Sequence, residues 1–341
     1  MEMTDHRCDH NINPSVENRG GTNKDTFVQA VRGICICAVV LTHCLGKESA
    51  GAVFIKPWLY FQVMLFVYIS GYLTSKEKVI GKERSFYKKR ITKIIVPYVV
   101  WTVVYLLYDR AFTIKHFIKC LITAGACGPL YFLVDYAQLV LLTPLMFRML
   151  DKKHNRMLLY AITPAYILLN YWIKINELDT FVPVCLWLVL PYVLGLESRK
   201  FMSVAKRMKL SFLTIVCIVF GLIETAEGIY WRNKGSTGLM NTQVKLTTLI
   251  YFLAISMVFL KLQTVVDCKR LAVRLLSKVG DLSFGIFCCH KLVIYILSQW
   301  IPLGTVSGLL LWFVTVIISS AVVWFSQKYL SKRICVILGF V

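Results

Sequence analysis

Residues 28–43 read VQAVRGICICAVVLTH. One cation, Arg32, and one titratable base, His43, interrupt an apolar run that extends over about 27–46. A run of ~20 residues is long enough to cross a bilayer as a helix. Arg32 and His43 are eleven positions apart. At ~100° per residue they turn ~20° past three full turns, so they share one helix face at ~16 Å separation along the axis. Ionisable groups inside a span face a cavity or a partner rather than lipid. The same spacing also admits a plainer reading, in which Arg32 snorkels to headgroups and His43 caps a loop.

Working outward, further apolar runs lie at about 57–75, 94–108, 129–147, 157–173, 180–196, 210–226, 246–260, 282–300 and 303–327. The 341 residues are 57% hydrophobic and 17% charged, with a mean hydropathy of +0.64. Soluble domains sit nearer ~45–50% apolar and ~25% charged. The composition therefore excludes a water-soluble globule. It predicts an all-α integral membrane protein of about ten transmembrane helices.

The net charge of +21 would by itself suggest nucleic acid as a partner, but its distribution argues otherwise. Lys and Arg in alternate connecting segments number 28 on one set and 9 on the other. Basic loops face the cytoplasm. The split predicts an even number of spans with both termini cytoplasmic, in the cytoplasmic (inner) membrane, with lipid rather than nucleic acid as the surrounding partner. The domain reading is a disordered cytoplasmic tail over 1–26, a transmembrane domain over 27–330 and a short cytoplasmic tail over 331–341. Twelve cysteines lack any CxxC pair, so neither a metal site nor a disulfide framework is expected. Cys120 and Cys127 are near enough in sequence to meet in an outer loop.

Besides Arg32 and His43, Asp135 and His290 fall within apolar runs, and Lys291 follows His290. Ser283 lies seven residues before His290 and so on nearly the same helix face. Glu48, Glu224 and Glu227 are read near the outer surface, as sugar contacts or as solvated loop charges.

These residues come in a familiar order. Arg32-Gly33, ten intervening positions and His43 resemble the Arg-x10-His signature of the membrane-bound acyltransferase family 3. Ser70-Gly71-Tyr72 resembles the Ser-Gly-Phe end of that family's second helix. Lys89-Arg90 with Lys93 and Pro97 resembles its Arg-x-x-Arg start of the third helix, and Gly128-Pro129-Leu130-Tyr131-Phe132-Leu133 its Gly-Pro-Leu-Trp-Phe-Leu start of the fourth. Ser283, Gly285 and His290 resemble its late Ser-x-Gly-x-Tyr-Leu-x-His helix. Lys93 keeps charge at the second basic position but loses the guanidinium fork. Tyr131 stands for the usual Trp and Phe287 for the usual Tyr.

The resemblance implies acyl transfer, most often of acetyl from acetyl-CoA, to a sugar hydroxyl. On that reading acetyl-CoA or another acyl-CoA is a donor substrate rather than a resident cofactor. The acceptor is a glycan or polyprenyl-linked saccharide, part of a cell-surface polysaccharide or its precursor. His43 is the expected general base, with His290 a second catalytic candidate. Arg32, Arg90, Lys93 and Ser70 are expected at the donor, and Asp135, Tyr131 and Ser283 at the acceptor. A transporter or flippase for a lipid-linked sugar or other anion fits the span count and the intramembrane charge equally. Nothing in the sequence fixes the oligomeric state.

Overall fold

The computed structural model describes residues 25–47, 49–176 and 183–340. The expected tail over 1–26 falls almost wholly outside the described residues, as does Glu48. Among the described residues every regular element is helical.

Twelve helices carry the architecture: α1 (Thr26–Cys44), α2 (Phe61–Tyr72), α3 (Glu83–Tyr108), α4 (Tyr131–Leu150), α5 (Lys153–Ile175), α6 (Val189–Leu196), α7 (Leu210–Asn233), α8 (Leu246–Val265), α9 (Leu271–Asp281), α10 (Ser283–Leu297), α11 (Val306–Tyr329) and α12 (Lys332–Leu338). Asp25 starts α1 by accepting from the amides of Phe27 (3.0 Å) and Val28 (3.3 Å), which satisfies two of the orphan donors at a helix start. Side chains such as Ile215, Val219 and Leu222 on α7 and Leu310, Phe313 and Ile317 on α11 are exposed. An apolar outer surface of this kind suits a hydrocarbon surround. The protein is an all-α integral membrane protein.

All ten apolar runs contain helix, but not all are long. Seven helices among the described residues are long and apolar enough to cross a membrane: α1, α3, α4, α5, α7, α8 and α11. The pair α9–α10 bends by 74° and makes an eighth if it is one span. The expected spans at 57–75 and 180–196 are shorter. α2 has 12 residues, and α6 has 8 after a 3₁₀ turn at Cys185–Leu188. Twelve residues reach ~18 Å, well short of a ~30 Å hydrocarbon core.

These two short helices pack on each other through glycine. A Cβ on Gly71 would lie 2.3 Å from the Tyr192 carbonyl oxygen, and one on Gly195 would lie 2.1 Å from that of Tyr68. Backbones approach this closely only where no side chain intervenes. Gly33 and Gly280 do the same for α1 against α9, at 2.2 Å from the Leu276 oxygen and 1.8 Å from the Gln29 oxygen. Each pair puts a functional candidate beside a fixed backbone crossing: Ser70 precedes Gly71, and Arg32 precedes Gly33.

Interhelical hydrogen bonds fasten the rest. Trp312 Nε1 donates to the Cys37 carbonyl (2.8 Å), Tyr105 OH to the Cys288 carbonyl (2.9 Å), and Thr143 Oγ1 pairs with Tyr192 OH (2.9 Å). The segment expected as a tail over 331–341 contains α12, and Phe340 beyond it is 3% exposed. Val336 and Gly339 share a cavity with Arg32, so the start of α1 and the segment after α11 lie at the same end of the bundle.

Candidate functional site

Three cavities follow one another through the bundle. At the end holding the start of α1, a cavity of about 290 Å³ is lined by Arg32, Arg90, Lys93, Tyr136, Phe284 and the α12 segment. Next to it, about 180 Å³ lies among Arg32, Arg90, Ser70, Tyr136, Ser283 and apolar side chains including Phe66 and Phe284. Toward the opposite end a larger cavity of about 540 Å³ holds His43, Asp135, Tyr131, Asn170, Trp187 and Gln243.

The short helices explain where the large cavity sits. Tyr60, Gln62 and Val63 at the start of α2, and Pro183, Val184 and Trp187 ahead of α6, line it. Ahead of α2 the chain runs as two short helical pieces, Ala50–Phe54 and Lys56–Leu59, broken at Ile55 and Tyr60, and ahead of α6 it runs through the 3₁₀ turn Cys185–Leu188. Such backbone is tolerated at membrane depth where it is buried in protein or lines a polar cavity.

The arginine cluster is built for anions. Arg90 donates from Nη1 to Tyr136 OH (3.2 Å) and from Nη2 to Thr74 Oγ1 (3.5 Å). Tyr136 OH and Ser70 Oγ share a hydrogen bond of 2.5 Å. Arg32 donates from Nη1 to Gln29 Oε1 (3.2 Å), its neighbour one turn back. Gln29 is uncharged, and the carboxylate of Asp281, at the end of α9, is the acidic group close enough to act on Arg32; among the described residues the hydrogen bonds of Arg90 go to neutral hydroxyls. Two guanidinium groups on one cavity are the geometry for phosphate oxygens. Ser283 Oγ is buried on the same wall without a hydrogen-bond partner among the described residues.

The histidine cluster is different in kind. The rings of His43 and His290 lie 5.5 Å apart, centroid to centroid. His290 is fully buried. Its Nδ1 lies 3.1 Å from the Ile286 oxygen and 2.8 Å from the Phe287 oxygen. A carbonyl only accepts, so the hydrogen-bond network assigns the proton to Nδ1 and leaves a lone pair on Nε2. That Nε2 has no hydrogen-bond partner among the described residues. Asp135 is 1% exposed; one oxygen accepts from Trp187 Nε1 (2.9 Å) and the other has no hydrogen-bond partner among the described residues. Tyr131 OH accepts from Gln243 Nε2, and its ring lies 6.4 Å from Trp187.

The candidates thus fall into two groups. Arg32, Arg90, Lys93, Ser70 and Ser283 lie at the arginine end, whereas His43, Asp135 and Tyr131 line the histidine cavity and His290 stands behind His43. Ser283, expected at the acceptor, is across from the acceptor candidates and beside the arginines. Phe132 and Phe287 line both the 180 Å³ and the 540 Å³ cavities and stand between the groups.

Residues 25–326 match the family model described as an acyltransferase domain, that of acyltransferase family 3. The chain belongs to acyltransferase family 3. It has no match among curated proteins or solved structures. Membership makes this acyltransferase a multi-pass membrane enzyme whose matched region contains every residue of both clusters except the α12 segment.

Several residues of the two clusters lie outside the motifs. Tyr136 joins Ser70 to Arg90, and it adjoins Asp135 in the chain. Phe132 and Tyr136 are four residues apart and stack at 5.9 Å, a spacing that was legible. Gln243 and Asn170 carry no local signal. Glu224 and Glu227 lie within α7 rather than in a loop. Glu224 is fully buried, 3.9 Å from Lys245 and 2.5 Å from Thr248 Oγ1. Glu227 accepts from Trp231 Nε1 (3.1 Å), Tyr171 OH and Thr247 Oγ1. Cys120 and Cys127 are both free and buried.

Proposed function

We propose that this enzyme transfers an acetyl group from cytoplasmic acetyl-CoA to a hydroxyl of a cell-surface polysaccharide or its lipid-linked precursor. The observation that carries the reading is the back-to-back placement of a two-arginine cavity and a histidine cavity across one aromatic partition. On this reading the arginine end faces the cytoplasm, as the basic connecting segments favour, and the enzyme sits in the cytoplasmic (inner) membrane. There Arg32 and Arg90 hold the donor's phosphates and Lys93 adds charge at the rim. Ser70, tied through Tyr136 to Arg90, lies beside the path of the thioester arm.

The acyl carbon then meets the acceptor in the histidine cavity. His43 takes the proton of the attacking hydroxyl. The new C–O bond forms, the C–S bond breaks, and the departing thiolate receives that proton from His43. An imidazole suits both halves of this transfer near neutral pH. His290 is a positioning residue: its ring packs 5.5 Å from that of His43, and its Nε2 lone pair, unpartnered among the described residues, is free to accept from the His43 ring when that ring turns to the acceptor. Asp135 presents its unpaired oxygen to an acceptor hydroxyl, and Tyr131 and Trp187 offer ring faces to a sugar.

The test is acetyl-CoA turnover by wild type and His43→Ala in nanodiscs with a mixed glycan pool. Donor binding in both with transfer only in wild type supports the reading. Movement of a lipid-linked sugar or other anion between leaflets without loss of acetyl-CoA would replace it with a transporter or flippase.

A further inference from the structure

The segment Lys332–Phe340 lies beyond the 25–326 match, yet it forms part of the cationic cavity. Val336 and Gly339 line that cavity opposite Arg32, Arg90 and Lys93. The segment is pinned in place. Trp101 Nε1 donates to the Leu338 oxygen (3.0 Å) and Gln327 Nε2 to the Phe340 oxygen (2.5 Å). Ser331 caps α12 through the amide of Ile334 (3.4 Å). The Phe340 ring packs 6.2 Å from that of Trp101. Gly339 sits at φ 73°, where a Cβ would also meet Phe284 Cε1 at 2.9 Å and Pro97 Cβ at 3.1 Å. The backbone here runs against the floor of the cavity, not out into solvent.

The two cavities at the arginine end differ in chemistry. The 180 Å³ cavity is mostly apolar beyond its arginines, with Phe66, Ile69, Leu73, Phe132 and Phe287. The 290 Å³ cavity has three cations and a small apolar wall of Ile94, Phe284, Val336 and Gly339. Arg32, Arg90, Tyr136 and Phe284 line both, so the two guanidinium groups mark the neck between them.

We propose that Val336 and Gly339 form the wall that receives the nucleotide end of the donor, with its diphosphate at the Arg32/Arg90 neck and its thioester arm in the apolar cavity. The inference rests on the acyl-CoA reading above. A purine needs an apolar face close to backbone, and the phosphate on its ribose needs a cation beyond the neck. Val336 beside the glycine supplies the first and Lys93 the second. The segment is thus a binding element of the donor site contributed from outside the matched domain.

The experiment uses full-length protein in nanodiscs, with coenzyme A, adenosine 3′,5′-bisphosphate and S-acetylpantetheine as probes. Val336→Glu sets a carboxylate among three cations and opposes the phosphates. It is expected to raise the Kd of coenzyme A and of the bisphosphate by about tenfold or more, and to lower acetyl transfer from acetyl-CoA more than transfer from S-acetylpantetheine, which lacks the nucleotide. Val336→Trp fills the same wall without charge, and its expected result is the same. Equal affinity of wild type and both variants for coenzyme A and the bisphosphate would overturn the proposal and leave the acyltransferase reading standing. Failure of wild type to bind coenzyme A at all would overturn that reading, and this inference with it.

Discussion

The rings of Phe132 and Phe287 meet edge to face at 5.3 Å, and these two side chains are shared by the cavity holding Arg32 and the cavity holding His43. Phe132 comes from the start of α4 and Phe287 from α10. Phe132 is braced by Tyr136, stacked at 5.9 Å, and Phe287 lies 5.9 Å from His290. The partition therefore connects mechanically to the Arg90 network on one side and to the histidine pair on the other.

On the proposed path a thioester coming to His43 from the arginine end would have to pass these rings, and the closed pair would keep water from it. Phe287→Ala is expected to raise acceptor-independent hydrolysis of acetyl-CoA by roughly three- to tenfold relative to transfer, because a closed site suppresses such side reactions. Phe132→Trp is expected to block transfer while coenzyme A still binds. Parallel assays of free thiol release and acetylated acceptor read both effects, and an unchanged hydrolysis-to-transfer ratio would remove the partition from the pathway.

His43→Ala is expected to lower kcat by about 10²–10⁴, the usual contribution of a general base, with the Kd of coenzyme A within about twofold of wild type because the proposed phosphate site is at the two arginines, away from His43. His290→Phe keeps an aromatic ring but removes the Nε2 lone pair. It should lower kcat with little change in the acceptor KM, since His290 does not line the cavity. Steady-state kinetics on both variants decide it, and a change confined to KM would make His290 part of acceptor binding.

Arg90→Lys keeps the charge but loses the fork that reaches Tyr136 and Thr74 together. The Kd of coenzyme A is expected to rise about tenfold, as expected where a planar, bidentate donor is replaced by a point charge. Tyr136→Phe, which frees Ser70 and Arg90 from each other, should give a smaller rise of about twofold to fivefold. Isothermal titration in nanodiscs measures both, and equal affinities for Arg90→Lys and wild type would exclude Arg90 from the donor.

Gly71→Ala would place a methyl group 2.3 Å from the Tyr192 oxygen. The backbones of α2 and α6 must separate, at a cost of about 3 kcal/mol or more by analogy with overpacked cores. A lowered thermal midpoint for purified Gly71→Ala, compared with Gly235→Ala, checks this. Gly235 has nothing within 4 Å of an added Cβ, although its φ of 74° makes that control strained on its own account. A Gly71→Ala midpoint no lower than the control's would contradict the tight crossing.

Much of this enzyme could be read from local pattern. Hydropathy over short windows located each of the seven helices that are long and apolar enough to cross a membrane among the described residues, because the cost of exposing polar backbone to lipid is set locally, segment by segment. The eleven-residue spacing put Arg32 and His43 on one face, and both line interior cavities. Order along the chain placed the family, since Arg32, His43, Ser70, Arg90 and His290 sit in recognisable surroundings. Length was less legible. The runs at 57–75 and 180–196 are apolar enough for full spans, yet tertiary packing stops them short as α2 and α6.

Residue order alone specifies a helical membrane protein of acyltransferase family 3, with cations and histidines inside its apolar runs. Helix periodicity and transfer free energy act between near neighbours, so they are written in the order of residues. Only the tertiary structure decided that Ser283 joins the arginines, that Phe132 meets Phe287, that Glu224 pairs with Lys245, and that Val336 closes the cationic cavity. Each of these is a contact between segments distant in the chain. It exists because glycine pairs such as Gly71 with Gly195 let particular backbones touch, and close packing then leaves space in some places and none in others.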